Sequence, residues 1–195
     1  MRIEKGSREL AGACLYYGLV PSPLGVVGLV WRQEEAGTRL ERVLLPRPPA
    51  AAQAALRRAY PAAQVGSCPA IDDLGERLQR LLGGEAVSFA LDALALEACS
   101  AFQRRVLLVE AAIPRGWVST YGRIARHLGV PGGARAVGGA LAANPFPLII
   151  PCHRAIREGG ELGGFQGGLG MKRALLELEG VRFSPAGKVL APRYY

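Results

Sequence analysis

From Leu15 to Trp31 the chain is apolar almost throughout, broken by Pro21, Ser22, Pro23 and Gly25. Residues Cys14 to Trp31 therefore read as two strands around a Pro/Ser/Gly turn. "TRLERVLLP" follows with apolar and charged positions alternating, which predicts a third strand. "AAQAALRRAY" is alanine-rich and helical, and "IDDLGERLQRLLGG" places Leu74, Leu78 and Leu81 at helical spacing before Gly83-Gly84 stops it. This half predicts a small α/β domain. "VSFALDAL" reads as a strand or a linker, with a boundary within residues 84–100.

The second half changes period. "SAFQRRVLLVEAAI" carries Phe102, Val106, Val109 and Ile113 on one helical face, until Pro114-Arg115-Gly116 breaks it. "STYGRIARHLG" offers Ser119 or Thr120 as N-cap, Ile124 and Leu128 as an i, i+4 pair, and Gly129 as stop. "GARAVGGALAAN" then gives another helix after Val130-Pro131-Gly132, so the order is helix, glycine turn, helix. Many all-helical domains share that order, and it does not alone identify a nucleic-acid reader.

Composition narrows the picture. The chain has 195 residues, half of them apolar, and a net charge of +8. Residues 1–100 hold 11 basic and 11 acidic side chains, whereas residues 101–195 hold 13 basic and 5 acidic, so the whole excess lies in the second half. A basic half suggests a polyanionic partner, beside the plainer reading of a soluble basic surface. Cys14, Cys68, Cys99 and Cys152 form no C-x-x-C pair, and His127 and His153 are the two histidines; this pattern speaks against zinc and a disulfide framework. "MRIEKGSREL" has no apolar core of signal-peptide length, and no run approaches a membrane span. The expected location is cytoplasmic, associated with the nucleoid in a prokaryote, where thiols stay reduced.

The glycine-alanine helix is unusual. Gly133, Ala134, Ala136, Gly138, Gly139, Ala140, Ala142 and Ala143 leave it nearly bare, although each glycine in a helix costs roughly 1 kcal/mol against alanine. Either another helix packs closely there, or the helix approaches a surface too narrow for long side chains, such as the DNA minor groove, about 6 Å wide. Arg135 is its one long side chain, read as a probe or as a surface ion-pair partner. Directly afterwards, "NPFPLIIPCHR" sets Cys152 and His153 side by side on a path stiffened by Pro145, Pro147 and Pro151, read as a rigid strand. A thiol with an adjacent histidine is a nucleophile with a base. Beside a groove-reading helix, it can attack a base turned out of the stack.

"PCHR", preceded by "RAVGGALAANPFPLII" and followed by "GGFQGGLGMKRALLELEG", resembles the O6-alkylguanine-DNA alkyltransferases, or methylated-DNA–protein-cysteine methyltransferases. The likeness is dense over residues 101–180, and "SPLG" at Ser22–Gly25 fits more weakly. It implies an α/β N-terminal domain at 1–90, a small ribonuclease-H-like antiparallel sheet with helices. It also implies an α-rich, winged-helix-like DNA-binding domain at 91–195 with the helix-turn-helix. The implied reaction is a single irreversible transfer of a methyl or larger alkyl group from O6-alkylguanine, and also O4-alkylthymine, in flipped-out duplex DNA. No cofactor or metal is implied, and the expected protein is a monomer whose partner is damaged double-stranded DNA, not a membrane.

The resemblance also implies roles. Cys152 is the acceptor, His153 activates it through a water, Glu179 orients His153, and Asn144 braces the turn before the cysteine. Tyr121 helps rotate the nucleotide and supports the departing guanine, and Arg135 fills the vacated place. Tyr121, Gly122, Ala134, Arg135 and Gly138 are the implied DNA-facing residues; Pro147, Phe165, Gln166 and Gly167 are the implied alkyl pocket. Phe165 stands where a tyrosine is common. The alternative is a non-catalytic lesion-binding relative, in which the motif cysteine is replaced; here Cys152 is kept.

Overall fold

The computed structural model describes residues 14–190 and 193–195. The segment read as lacking a signal peptide, "MRIEKGSREL", lies outside them. The three expected strands form as β1 (Leu15–Ser22), β2 (Gly25–Glu34) and β3 (Gly37–Arg47), each antiparallel to the next. The chain then crosses one sheet face as α1 (Pro49–Ala59) and returns as β4 (Gln64–Val65), parallel to β1. The sheet is therefore mixed, in the order β3-β2-β1-β4, rather than antiparallel throughout. The crossover over α1 delivers the chain to the far edge in the same direction as β1, which the hydropathy pattern did not reveal.

β2 is apolar from Gly25 to Trp31 because that stretch is covered on both sides. Val30 packs with Tyr17 and with Leu56 of α1. Val27, Leu29 and Trp31 face the other way, toward Ile71 and Leu78 of α2 (Pro69–Leu82). That second face belongs to a core which continues through Val106, Leu141, Ile150 and Cys152, so the sheet and the helical half share one interior.

"VSFALDAL" forms no regular strand. Its end runs along the outer edge of β3, where the Leu40 amide donates to the Ala93 carbonyl at 2.8 Å and the Ala95 amide donates to Leu40 at 2.9 Å. Further along β3, the Val43 amide donates to the Pro145 carbonyl at 2.8 Å. The exposed sheet edge is thus closed by the linker and by the loop that leads to Cys152.

The helical half comprises α3 (Ala101–Ala111), α4 (Tyr121–His127), α5 (Ala134–Ala142) and α6 (Gly168–Leu178). Ser100 caps α3 and Thr120 caps α4 through their hydroxyls. Gly129 follows α4 with a φ of +73°. Val106 and Leu107 are fully buried, Phe102 and Val109 are half-buried, and Ile113 falls beyond the end of α3. A two-residue parallel pair, β5 (Ser119–Thr120) with β6 (Ala155–Ile156), ties the start of α4 to the residues just after the PCHR motif. Among the described residues, no helix is long and apolar enough to cross a membrane.

Gly25 closes the β1–β2 turn with a φ of +117°, and a Cβ there would lie 2.7 Å from the Arg47 carbonyl oxygen. That oxygen belongs to the backbone of β3 and cannot yield cheaply. Gly25→Ala should lower unfolding stability by roughly 2 kcal/mol, read as a lower urea midpoint; an unchanged midpoint contradicts this.

Candidate functional site

Cys152 does not lie on a strand. Residues 145–150 form bends and turns rather than a strand, and after Pro151 residues Cys152–Arg154 form a single tight turn. The approach to it is strained: Leu148, 2% exposed, adopts a φ of +76°, a conformation that costs non-glycine residues of order 1–3 kcal/mol. Asn144 holds this loop. Its amide donates to the Ile150 carbonyl at 3.0 Å, and its side-chain oxygen accepts from the Phe146 amide at 2.9 Å.

Around the turn, buried charge is organised by Glu179. Glu179 occupies the C-cap position of α6 through its backbone, and its side chain is 3% exposed. It accepts from Arg154 at 2.7 and 2.9 Å and from the Gly116 amide at 3.2 Å, and it lies 2.9 Å from His153 Nε2. Despite burial, these donors hold its pKa down to about 2. A carboxylate can only accept, so His153 Nε2 carries the proton and donates it to Glu179. Burial lowers the His153 pKa and keeps the ring neutral, while Nδ1 is buried with no partner among the described residues. Nδ1 is thereby left as a free lone pair. Cys152 is 4% exposed, and burial pushes its thiol up to about 12, so sulfur rests as a thiol and needs a base to ionise.

The sulfur is not walled off. Cys152 lines a cavity of about 550 Å³ together with Tyr121, Ala134, Arg135, Gly138, Leu141, Phe165 and Gln166. That volume lies in the range of small-molecule sites. The bare face of α5 forms one wall. No neighbour comes within 4 Å of a Cβ built on Gly139, and only the Tyr121 ring, at 3.9 Å, meets one on Gly138. Apart from the Tyr121 ring of α4, nothing among the described residues packs against those glycines, so close helix packing does not explain them. Opposite, Gly163 has a φ of +69°, and a Cβ there would lie 2.8 Å from the Tyr121 hydroxyl, so the loop passes directly over the ring. Phe165 meets His153 edge-on at 6.4 Å. Burial pushes the Tyr121 phenol up to about 12, which keeps it protonated.

Other predicted residues lie elsewhere. Pro147 is buried and does not line the cavity; Gly167 lines a neighbouring cleft; Gly122 lies in the first turn of α4, beside Thr120 and Glu158. Arg126, Arg135 and Arg157 are exposed and join no ion pair among the described residues. No cluster able to hold a metal ion occurs among the described residues.

Sequence reasoning missed Lys172, Glu110 and Arg154. Lys172 is fully buried on α6; its ammonium donates to the Ala155 carbonyl and to Gly164 at 3.3 Å, and burial lowers its pKa to about 8. Glu110 is fully buried on α3, with both oxygens unpartnered, and burial raises its pKa to about 8 against the pull of Lys172 and Arg154. Their spacing was a readable signal. Lys172 precedes Leu175 and Leu176 by three and four residues, and Glu110 follows Leu107 and Val106 by the same steps, which puts both on apolar faces.

With the geometry described, the comparisons decide kinship. Residues 101–181 match the family model "6-O-methylguanine DNA methyltransferase, DNA binding domain". A methylated-DNA–protein-cysteine methyltransferase of Mycobacterium leprae is 42% identical over 124 residues, covering 62% of this chain and 73% of that one. This chain belongs to the methylated-DNA–protein-cysteine methyltransferase family. The family member from Methanothermobacter thermautotrophicus is 48% identical over 112 residues, covering 57% of this chain and 62% of that protein, so the match spans less than two thirds of its length. The crystal structure of Mycobacterium tuberculosis OGT in complex with DNA superposes with a TM-score of 0.66 at 33% identity, covering 84% of this chain and 92% of that one. The α/β architecture with its mixed sheet and six helices is therefore that of the methyltransferase family.

Glu110 dates the site by its pH response. Its raised pKa means the folded state binds a proton more tightly than the unfolded chain between about pH 4.5 and 8. Stability contributed by the neutral acid is lost as pH rises through that window. The Glu110 contribution should fall by several kcal/mol across it, partly offset by the lowered His153 pKa, and Glu110→Gln should remove that component in urea titrations at several pH values. Parallel curves for the two proteins contradict this.

Proposed function

We infer that this protein repairs alkylated duplex DNA by taking the alkyl group from O6 of a flipped-out guanine onto Cys152. One observation carries the reading: the sulfur lines an open cavity beside the glycine-bearing face of α5, and the adjacent imidazole has its lone pair free. The proton of the Cys152 thiol passes to His153 Nδ1, directly or through one water, while Nε2–H stays on Glu179. Sulfur then bonds to the alkyl carbon, and the C–O6 bond breaks with its electron pair going to guanine. Tyr121, still protonated, supports the departing base. The thioether left on Cys152 has no good leaving group, so each molecule acts once.

The remaining roles follow the same reading. Arg135 occupies the vacated place in the stack, offsetting an unstacking cost of a few kcal/mol. Ala134, Gly138 and Gly122 let the helix pair approach the groove, and Phe165 and Gln166 bound the base, with Pro147 and Gly167 behind the alkyl group. Residues 1–90 act as a ribonuclease-H-like support and residues 91–195 as a winged-helix-like DNA-binding and acceptor domain. Retention of the thiol with its base favours transfer over lesion binding alone.

Mixing the protein with duplex containing O6-methylguanine should add one methyl group per molecule, located on Cys152 by peptide mass spectrometry. Cys152→Ser should abolish the gain while DNA binding persists; methylation of the variant, or repeated turnover by the wild type, overturns the assignment. Arg135→Ala should slow repair of duplex DNA far more than reaction with free O6-benzylguanine, and equal slowing removes its role as a wedge. Because the His153 pKa is lowered, the base stays neutral below the usual histidine range near pH 6.5. Any loss of the transfer rate toward acid should therefore have its midpoint below about pH 6.5; a midpoint at or above that contradicts a lowered His153 pKa.

A further inference from the structure

The first half of the chain carries no net charge, yet the fold sorts its charges into two places. At the linker side of the sheet, Arg32 pairs with Glu34, Glu41 and Glu97, and Arg39 also pairs with Glu97. These contacts use the acidic side chains nearest the sheet. Arg42 and Arg47 of β3 and Arg58 of α1 are left exposed, and none of the three joins an ion pair among the described residues.

These three arginines line one cleft of about 450 Å³ between β3 and α1, and no carboxylate lines it. Its other wall is Gln166 and Gly167 of the loop before α6, with Met171 of α6. Gln166 also lines the Cys152 cavity, so one residue separates the two spaces. That residue is fixed, because its side-chain amide donates to the Asn144 carbonyl at 2.9 Å. An exposed guanidinium with no carboxylate suits a phosphodiester, which it can grip with two parallel hydrogen bonds. The Arg58 end of the cleft also offers the half-buried Tyr60 ring.

We propose that this cleft is a second DNA contact, in which Arg42, Arg47 and Arg58 hold the sugar-phosphate backbone of the substrate beside the extruded nucleotide. The proposal rests on the reading of the Cys152 cavity as the site for that nucleotide. It extends the DNA footprint from the helix-turn-helix onto the N-terminal half, where net charge gave no sign of it. The partner is the substrate DNA itself, because the cleft adjoins the cavity that takes one of its nucleotides.

The test is the salt dependence of duplex binding by the full chain, measured by fluorescence anisotropy for wild type and for R42Q/R47Q/R58Q. Each phosphate contact removed should make the slope of log K against log salt shallower by about 0.9, so the triple variant should lose one to three such steps. Reaction of the triple variant with free O6-benzylguanine should match the wild type, since none of the three residues lines the Cys152 cavity. An unchanged salt slope overturns the proposal. So does a parallel loss of reaction with the free base, which would make the arginines supports of the cavity. Loss of inorganic phosphate binding, followed by phosphorus NMR, with DNA affinity intact also overturns it. If the wild type itself binds duplex without salt dependence and takes up no alkyl group, the proposed function fails instead, and the two failures remain distinct.

Discussion

A single buried carboxylate sets the chemistry of the site. Glu179 stays ionised in the interior because Arg154, the Gly116 amide and His153 all donate to it. That contact fixes which imidazole nitrogen bears the proton. With Nε2–H committed to Glu179, Nδ1 is the only nitrogen left to act as base. Burial outweighs what Asn144 and Lys172 offer the sulfur, and it rests as a thiol.

Everything else positions that turn. The Leu148 strain and the Asn144 hydrogen bonds shape the loop, and the Val43–Pro145 contact anchors it to the sheet. The β5–β6 pair keeps Tyr121 next to it. On the solvent side, α5 leaves Gly138 and Gly139 with almost no neighbouring side chain, at the usual helix cost of glycine. The catalytic turn is therefore rigid from behind and open in front.

Much of this was legible in the residues. The three strands, the helices and the Thr120 cap follow from local periodicity and capping chemistry, which act within a few residues. The Cys152, His153, Asn144 and Glu179 constellation was legible because the motif places three of its members close together in sequence. What escaped was set by long-range geometry. The parallel β4 depends on where a crossover lands, and the apolar run before Cys152 that reads as strand forms bends and turns at residues 145–150 instead. Pro147 and Gly167 were placed in the pocket by motif position, but burial and the Gln166 loop put them outside its lining. Lys172 and Glu110 were readable in principle from their places on apolar helix faces. Their charge made them look like surface residues. The arginine cleft was hidden for another reason: charges that cancel along the chain separate in space.

The most direct test of the account is the tautomer of His153, read from the nitrogen-15 shifts of the two histidines, His127 and His153. The account predicts a neutral His153 ring protonated at Nε2 at neutral pH, and loss of that preference in Glu179→Leu, which removes the acceptor. A ring protonated at Nδ1, or an imidazolium at neutral pH, would contradict it, because neither leaves a lone pair to take the proton from Cys152.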